Sequence, residues 1–104
     1  MAHYRVDISE PAENDLMDIV KYISSQLSAP ETALSMLERI EKAMNALSEM
    51  PERYPLVSDE LLAQLGYHSL TVKNYVVFFS IDEADKAVEV ERILYARRDW
   101  MHIL

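Results

Sequence analysis

The sequence predicts an α+β fold with the order β-α-α-β-β-β, in which an N-terminal helical hairpin packs on one face of an antiparallel sheet. Apolar residues alternate with polar ones at the start of the chain, recur at helical spacing through two segments, and alternate again toward the end. The last strands are joined by short loops, which favours an antiparallel meander with the first strand added. The 104 residues fit one domain, residues 1–104.

The first strand is predicted over residues 3–8, and a helix follows it directly. Tyr4, Val6 and Ile8 fall on one face of the strand. Ser9 is placed to cap the helix that Glu10 begins. The apolar row of this helix has the i, i+3, i+4, i+7 spacing of a core-facing stripe and consists of Leu16, Ile19, Val20, Ile23 and Leu27. Its carboxylates are expected on the solvated face, namely Glu10, Glu13, Asp15 and Asp18.

A second helix is predicted to start near Pro30, with Ser28 and Glu31 at capping-box spacing. Its narrower apolar seam is suited to an antiparallel helical hairpin and consists of Ala33, Leu37, Ile40, Met44 and Leu47. Glu38 and Lys42 have the i, i+4 spacing of a surface ion pair. The prolines within residues 50–55 end the hairpin.

A short third helix is predicted where Ser58 or Asp59 can serve as the cap and Gly66 ends the helix. Its leucines are expected to face inward, namely Leu61, Leu62 and Leu65.

Three strands are predicted after Gly66, with turns at residues 73–74 and 82–86. Phe78 and Phe79 must point to opposite sides of the central strand, so at least one of them is expected in the core. In the last strand, Arg92 has the parity of two inward-facing valines. We expect it to find a carboxylate, leave the core or bind a ligand.

Composition excludes several classes of function. The chain has no Cys, one Gly and three His, so it has no thiolate chemistry and no glycine-rich phosphate loop. No pair of histidines has the helical spacing of a metal site, and neither a metal nor a cofactor is expected. With a net charge of −8, the chain is not expected to bind naked nucleic acid. The lack of Cys, of a leader and of a long apolar run predicts a cytoplasmic protein without a membrane partner.

The charge is unevenly distributed along the chain. Residues 1–65 carry 12 acidic side chains against 5 Lys or Arg, whereas residues 66–104 carry 6 against 5. Arg97, Arg98 and Trp100 together have the composition of a binding hot spot. The alternative is that these arginines pair with Asp99, Glu89 or the acidic helices and fix the C-terminal end.

Four stretches carry a family likeness that spans nearly the whole chain. They resemble the RelE/ParE superfamily of type II toxin–antitoxin toxins, and they are residues 4–16 (YRVDISEPAENDL), 51–55 (PERYP), 66–79 (GYHSLTVKNYVVFF) and 92–100 (RILYARRDW). The resemblance implies this β-α-α-β-β-β fold and a cognate antitoxin that wraps the toxin surface. It also implies one of two activities, which are ribosome-dependent mRNA cleavage by RelE-like members and action on DNA gyrase by ParE-like members.

The sequence departs from the nuclease pattern. Residues 59–66 contain no cation to hold a phosphate, and relatives of the nuclease type usually have Arg at the position of His68. Lys73, Arg92 and Tyr95 are the catalytic candidates if the chain is an endoribonuclease. The resemblance therefore favours a non-enzymatic gyrase inhibitor, and a degenerate member that binds only its antitoxin is the third alternative. The expected target or antitoxin contacts are Arg92, Tyr95, Arg97, Arg98 and Trp100.

Overall fold

A computed structural model describes residues 3–96 of the chain. Three α-helices and four strands make up this part, with a π-helical turn at Tyr22–Gln26 and 3₁₀ turns at Ala46–Ser48 and Pro51–Arg53. In chain order these elements are β1 (Arg5–Ile8), α1 (Glu10–Lys21), α2 (Pro30–Asn45), α3 (Glu60–Gln64), β2 (His68–Val72), β3 (Tyr75–Asp82) and β4 (Ala87–Tyr95). In the part of the chain described, no helix has the length and apolar character needed to cross a membrane.

The four strands form one sheet in the order β1-β4-β3-β2. The strands β2, β3 and β4 form the predicted antiparallel meander, and the predicted α+β fold class is confirmed. The sheet differs from the prediction in one respect, because β1 runs parallel to β4 and the sheet is therefore mixed. The amide of Tyr4 donates a hydrogen bond to the carbonyl of Ser48 at 2.8 Å, which places the 3₁₀ turn after α2 beside the start of β1.

The helix start at Ser9 is confirmed. The Ser9 hydroxyl oxygen accepts a hydrogen bond from the amide of Ala12 at 3.1 Å, and the hydroxyl donates to the carbonyl of Glu91 at 2.8 Å. The cap therefore fixes α1 to β4 as well as starting the helix. At the other end of α1 the π-helical turn follows, and Leu27 is 57% exposed, so the predicted apolar row does not extend to this residue.

The predicted capping box at the start of α2 is wrong. Ala29 occupies the N-cap position, and no side chain caps the helix there. Ser28 instead adopts a left-handed backbone conformation with φ of 50°. Pro30 lies in the first turn of α2, where its missing amide removes one of the donors that a cap would have to satisfy.

The main core lies between the helical hairpin and the sheet. The predicted seam of α2 contributes Ala33, Ile40, Met44 and Leu47 as buried residues, with Leu37 partly buried. The strands contribute alternate residues to the same cluster, namely Val77, Phe79, Val88, Val90 and Ile93.

A second core covers the opposite face of the sheet. It joins α3 to the sheet and consists of Val57, Leu62, Val76, Phe78 and Leu94. Phe78 and Phe79 are both fully buried and belong to different cores, as their adjacent positions in a strand require. The prediction that Leu61 and Leu65 face inward is wrong, because they are 54% and 66% exposed. A five-residue helix presents little more than one side to the sheet, and Leu62 occupies that side.

Candidate functional site

Arg92 lies just beyond a β-bulge in β4. Phe79 pairs with Val90 and Phe78 pairs with Arg92, so Glu91 is an extra residue in β4 relative to β3. The bulge reverses the alternation of the strand, because Ile93 rather than Arg92 joins Val88 and Val90 in the main core. Arg92 therefore does not point into this core, although its parity in the sequence predicts that it does.

The Arg92 guanidinium binds the carboxylate of Asp15 in α1. Nε lies 2.7 Å from Oδ2, and Nη2 lies 2.8 Å from Oδ1. The side chains are 24% and 12% exposed, so the pair is largely shielded from water. The hydrogen bond to Asp15 raises the pKa of Arg92, which stays charged. Of the three outcomes expected for Arg92, the structure shows a carboxylate partner.

Asp15 also completes an open strand edge. The pairing of β1 with β4 ends at Val90, and beyond it the edge of β4 has no neighbouring strand in the described chain. Asp15 Oδ2 accepts a hydrogen bond from the backbone amide of Ile93 at 3.0 Å. Side chains of the first helix thus replace strand pairing at this edge.

The expectation that Asp15 lies on the solvated face of helix one is wrong. The residue lies three positions after Ala12 and four before Ile19, both of which are buried. This spacing puts Asp15 at the border of the inward face. It is the signal in the sequence from which the role of Asp15 could have been inferred.

Tyr95 lies at the end of β4 beside a cleft that contains two other tyrosines. The rings of Tyr75 and Tyr95 meet edge to face with centroids 5.9 Å apart. A cavity of about 740 Å³ is lined there by Asp18, Tyr22, Leu27, Asn74, Tyr75 and Tyr95. Burial is the main cause that raises the pKa of Tyr75, and the Tyr22 and Tyr95 phenols add to it. The Tyr75 phenol therefore remains neutral at neutral pH.

Lys73 lies in the turn between β2 and β3, with φ of 56°. It lines a different cavity, of about 680 Å³, together with residues of α2. The three nuclease candidates are therefore spread over separate places, with Lys73 beside α2, Arg92 on Asp15 and Tyr95 in the tyrosine cleft.

His68 has a structural environment at the start of β2. Its Nδ1 lies 2.8 Å from the carbonyl oxygen of Tyr54, which places the donated proton on Nδ1. Its ring stacks on Phe79 with centroids 5.4 Å apart. These contacts attach the loop before α3 to the sheet.

The sheet surface near Glu91 is acidic. The Glu91 carboxylate accepts a hydrogen bond from Ser80 at 2.8 Å. Burial raises the pKa of Tyr67, and the charges of Glu91 and Glu89 raise it further. Two carboxylates therefore lie close enough to this phenol to disfavour its ionisation.

Arg97, Arg98 and Trp100, the remaining predicted contact residues, lie outside the described residues. Between residues 3 and 96, no three His, Asp or Glu side chains are gathered in a way that would hold a metal ion.

Comparison with known proteins identifies the family. Residues 6–100 match the family model described as the ParE toxin of the type II toxin–antitoxin system parDE. No curated protein sequence matches the chain significantly.

Solved structures share the fold at low sequence identity. A chain of the chromosomal ParDE toxin–antitoxin system from P. aeruginosa has a TM-score of 0.76 and 19% identity, covering 93% of this chain and 100% of that one. A mutant E. coli toxin RelE in the free state has a TM-score of 0.65 and 15% identity, covering 99% and 93%. A chain of the RelBE2 complex from Mycobacterium tuberculosis has a TM-score of 0.63 and 23% identity, covering 91% and 93%. The match of the family model over nearly the whole chain, with this fold, shows that the chain belongs to the ParE toxin family of type II toxin–antitoxin systems, within the RelE/ParE superfamily.

Proposed function

We propose that the protein is a ParE-like toxin that binds and inhibits DNA gyrase in the cytoplasm and is neutralised by a cognate antitoxin. The observation that carries the proposal is the match of residues 6–100 to the ParE toxin family. The protein acts by binding and not as an enzyme.

The placement of the candidate cations supports a binding mechanism. A ribonuclease must hold a scissile phosphate between cations and supply a group that moves protons. Lys73 and Tyr95 line different cavities, and the Arg92 guanidinium is bound to Asp15. This arrangement does not assemble the three groups around one phosphate.

The acidic sheet surface supports the same conclusion. Glu89 and Glu91 lie near the Tyr67 phenol, and the net charge of the chain is −8. Carboxylates repel the RNA backbone, whereas they suit a protein surface that carries basic residues.

An antitoxin is the second proposed partner. Three of the structural relatives are chains of complexes with an antitoxin, from M. tuberculosis, Pyrococcus horikoshii and E. coli. We expect the antitoxin to cover the surface that contacts gyrase, so that one partner excludes the other. Arg97, Arg98 and Trp100 are the residues proposed for these contacts, together with Tyr95.

The direct test is a supercoiling assay with purified gyrase and an excess of the full chain. We expect loss of supercoiling, which an equimolar antitoxin restores. The variant Arg97→Ala/Arg98→Ala is expected to weaken inhibition about tenfold, because it removes two proposed charge contacts with gyrase. Arg5→Ala is the matched control, since Arg5 is an exposed arginine paired with Asp7 at the other end of the chain.

The outcome of induction in cells separates the alternatives. New codon-phased mRNA ends with unaffected supercoiling would replace this proposal with a ribosome-dependent endoribonuclease. Unchanged growth, together with tight antitoxin binding, would identify a degenerate member that has lost toxicity.

A further inference from the structure

A groove separates α2 from the free edge of β2, and we call it the α2–β2 groove. Its cavity of about 680 Å³ is lined on one side by α2, including Glu38, Arg39 and Lys42. Lys42 lies four positions after Glu38 and three after Arg39, so the three residues share one side of the helix. The other side is formed by β2 and the turn after it, including Thr71 and Lys73.

The groove is cationic in an otherwise acidic chain. Arg39, Lys42 and Lys73 surround the cavity, with Glu38 as the only carboxylate in its lining. Within residues 3–96 these cations form no salt bridge, and the ion pair expected between Glu38 and Lys42 is absent. Since the net charge of the chain is −8, the groove is a local site of unneutralised positive charge.

The strand that borders the groove has a backbone edge that is only partly paired. In the described sheet β2 pairs with β3, and on its other edge an antiparallel bridge between His68 and Leu56 covers the start of the strand. Val72 and Tyr75 flank the two-residue turn, so Val72 and Leu70 direct their amides toward β3, and Ser69 and Thr71 direct theirs outward. The Ser69 amide bonds to the carbonyl of Pro55 at 3.3 Å. The described residues supply no such partner for the Thr71 amide, which faces the open part of the edge.

We propose that the α2–β2 groove binds an extended, acidic segment of a protein partner, which adds to the sheet beside β2. The backbone of the segment bonds to Thr71, and its carboxylates contact Arg39, Lys42 and Lys73. Strand addition supplies affinity through the backbone, and the cations select for acidic side chains.

Two other occupants fit the groove less well. A second copy of the chain would bring the same three cations together across the edge, and like charges repel. A nucleic acid has no backbone amide to pair with the strand edge, and the charge of −8 opposes its approach. The inference is independent of the target of the toxin.

Fluorescence anisotropy with the full chain tests the proposal. The probe is a short labelled peptide that alternates glutamate with valine, and its control has lysine in place of each glutamate. We expect saturable binding of the acidic peptide alone. The variant Lys42→Gln/Lys73→Gln is expected to weaken binding about tenfold. The matched control Arg5→Gln/Lys21→Gln also removes two positive charges, both outside the groove, and is expected to leave binding within about twofold.

The backbone contribution is tested separately at Thr71. Thr71→Pro removes the outward amide at an edge position where proline is tolerated, and Thr71→Val keeps the amide. We expect loss of binding in the first variant only, with circular dichroism confirming that both are folded. If Thr71→Pro fails to fold, the Thr71 amide resonance of the unsubstituted protein provides the readout, and it must shift on titration with the acidic peptide.

Three results would overturn the proposal. They are equal affinity for the lysine and the acidic peptide, unchanged affinity of the Lys42→Gln/Lys73→Gln variant for the acidic peptide, and displacement of the peptide by a single-stranded RNA that binds the same residues. The last result would identify the groove as a nucleic-acid site.

Discussion

Asp15 and Arg92 lie 77 residues apart in the chain and are joined by two hydrogen bonds of 2.7 and 2.8 Å. One oxygen of the same carboxylate accepts a hydrogen bond from the amide of Ile93. A single side chain of α1 therefore satisfies both a half-buried cation and the backbone of β4 at the place where β1 has ended. This contact fixes the helical hairpin relative to the strand that leads to the predicted binding residues.

We expect Asp15→Ala to lower the free energy of unfolding by about 2 to 3 kcal/mol, because it removes two hydrogen bonds from a shielded guanidinium and one from the Ile93 amide. Urea unfolding at neutral pH measures the change. Asp18→Ala is the control, since Asp18 is an exposed carboxylate on the same helix and is expected to change stability by less than about 0.5 kcal/mol. Equal effects of the two substitutions would contradict the role assigned to Asp15.

A double-mutant cycle measures the coupling between the partners. Asp15→Ala and Arg92→Ala are expected to be less destabilising together than the sum of the single variants, by about 1 to 2 kcal/mol. The reason is that either single variant already removes the contact between the two side chains. Additive effects would show that the pair contributes little in solution.

Toxicity is expected to follow the amount of folded protein in both of these variants. Arg92→Ala and Asp15→Ala break the same contact, so they should reduce toxicity by similar factors once soluble protein is quantified by immunoblotting. Each variant is the control for the other, because both remove the same ion pair and only Arg92 is a proposed contact with the target. If Arg92→Ala abolishes toxicity while Asp15→Ala retains it at equal abundance, Arg92 contacts the target directly.

The short helix α3 offers a comparison between adjacent leucines. Leu62 is buried in the second core, whereas Leu61 is exposed. We expect Leu62→Ala to cost about 2 to 4 kcal/mol through the lost burial and the cavity left behind. Leu61→Ala is expected to cost less than about 0.5 kcal/mol. Thermal or urea unfolding distinguishes them, and a reversed order would mean that α3 is rotated about its axis.

A pH-dependent contribution to stability is expected at Glu83. Hydrogen bonds from Lys86 and Tyr4 lower the pKa of Glu83, with the Lys86 bond the larger cause. A carboxyl group whose pKa is lower in the folded state stabilises the fold above its usual pKa and loses this effect as the pH falls through the folded value. Between about pH 6 and pH 3, the free energy of unfolding should therefore fall more steeply for the unsubstituted protein than for Glu83→Gln. Parallel curves would contradict the prediction.

The elements of the fold follow from local patterns in the sequence. The apolar period of 3.6 gives the helical hairpin, and Ser9 and Asp59 act as the caps that their positions indicate. The switch to period 2 gives the three last strands. These features depend on residues close together in the chain, and the sequence displays them directly.

The features that sequence patterns did not give are relations between distant segments. Periodicity assigns each residue to a face but does not say which strand is its neighbour, so the parallel pairing of β1 with β4 was not predicted. The bulge at Glu91 depends on the register between β3 and β4. It reverses the alternation of side chains along β4, so Arg92 does not share the face of Val88 and Val90. The local helical pattern places Asp15 on the solvated face, since its partner lies 77 residues away and does not enter that pattern.

The pairing of β1 with β4 has a consequence for the order of events during synthesis. The hydrogen bond from Ser9 to Glu91 spans 82 positions. Among the described strands β1 is synthesised first and β4 last, so β1 cannot pair until β4 has been synthesised. At about 5 to 20 residues per second, the ribosome takes roughly 4 to 16 seconds to cover that distance. The nascent chain is therefore without its completed sheet until translation has passed β4, and assembly of the sheet is a late step in the production of the toxin.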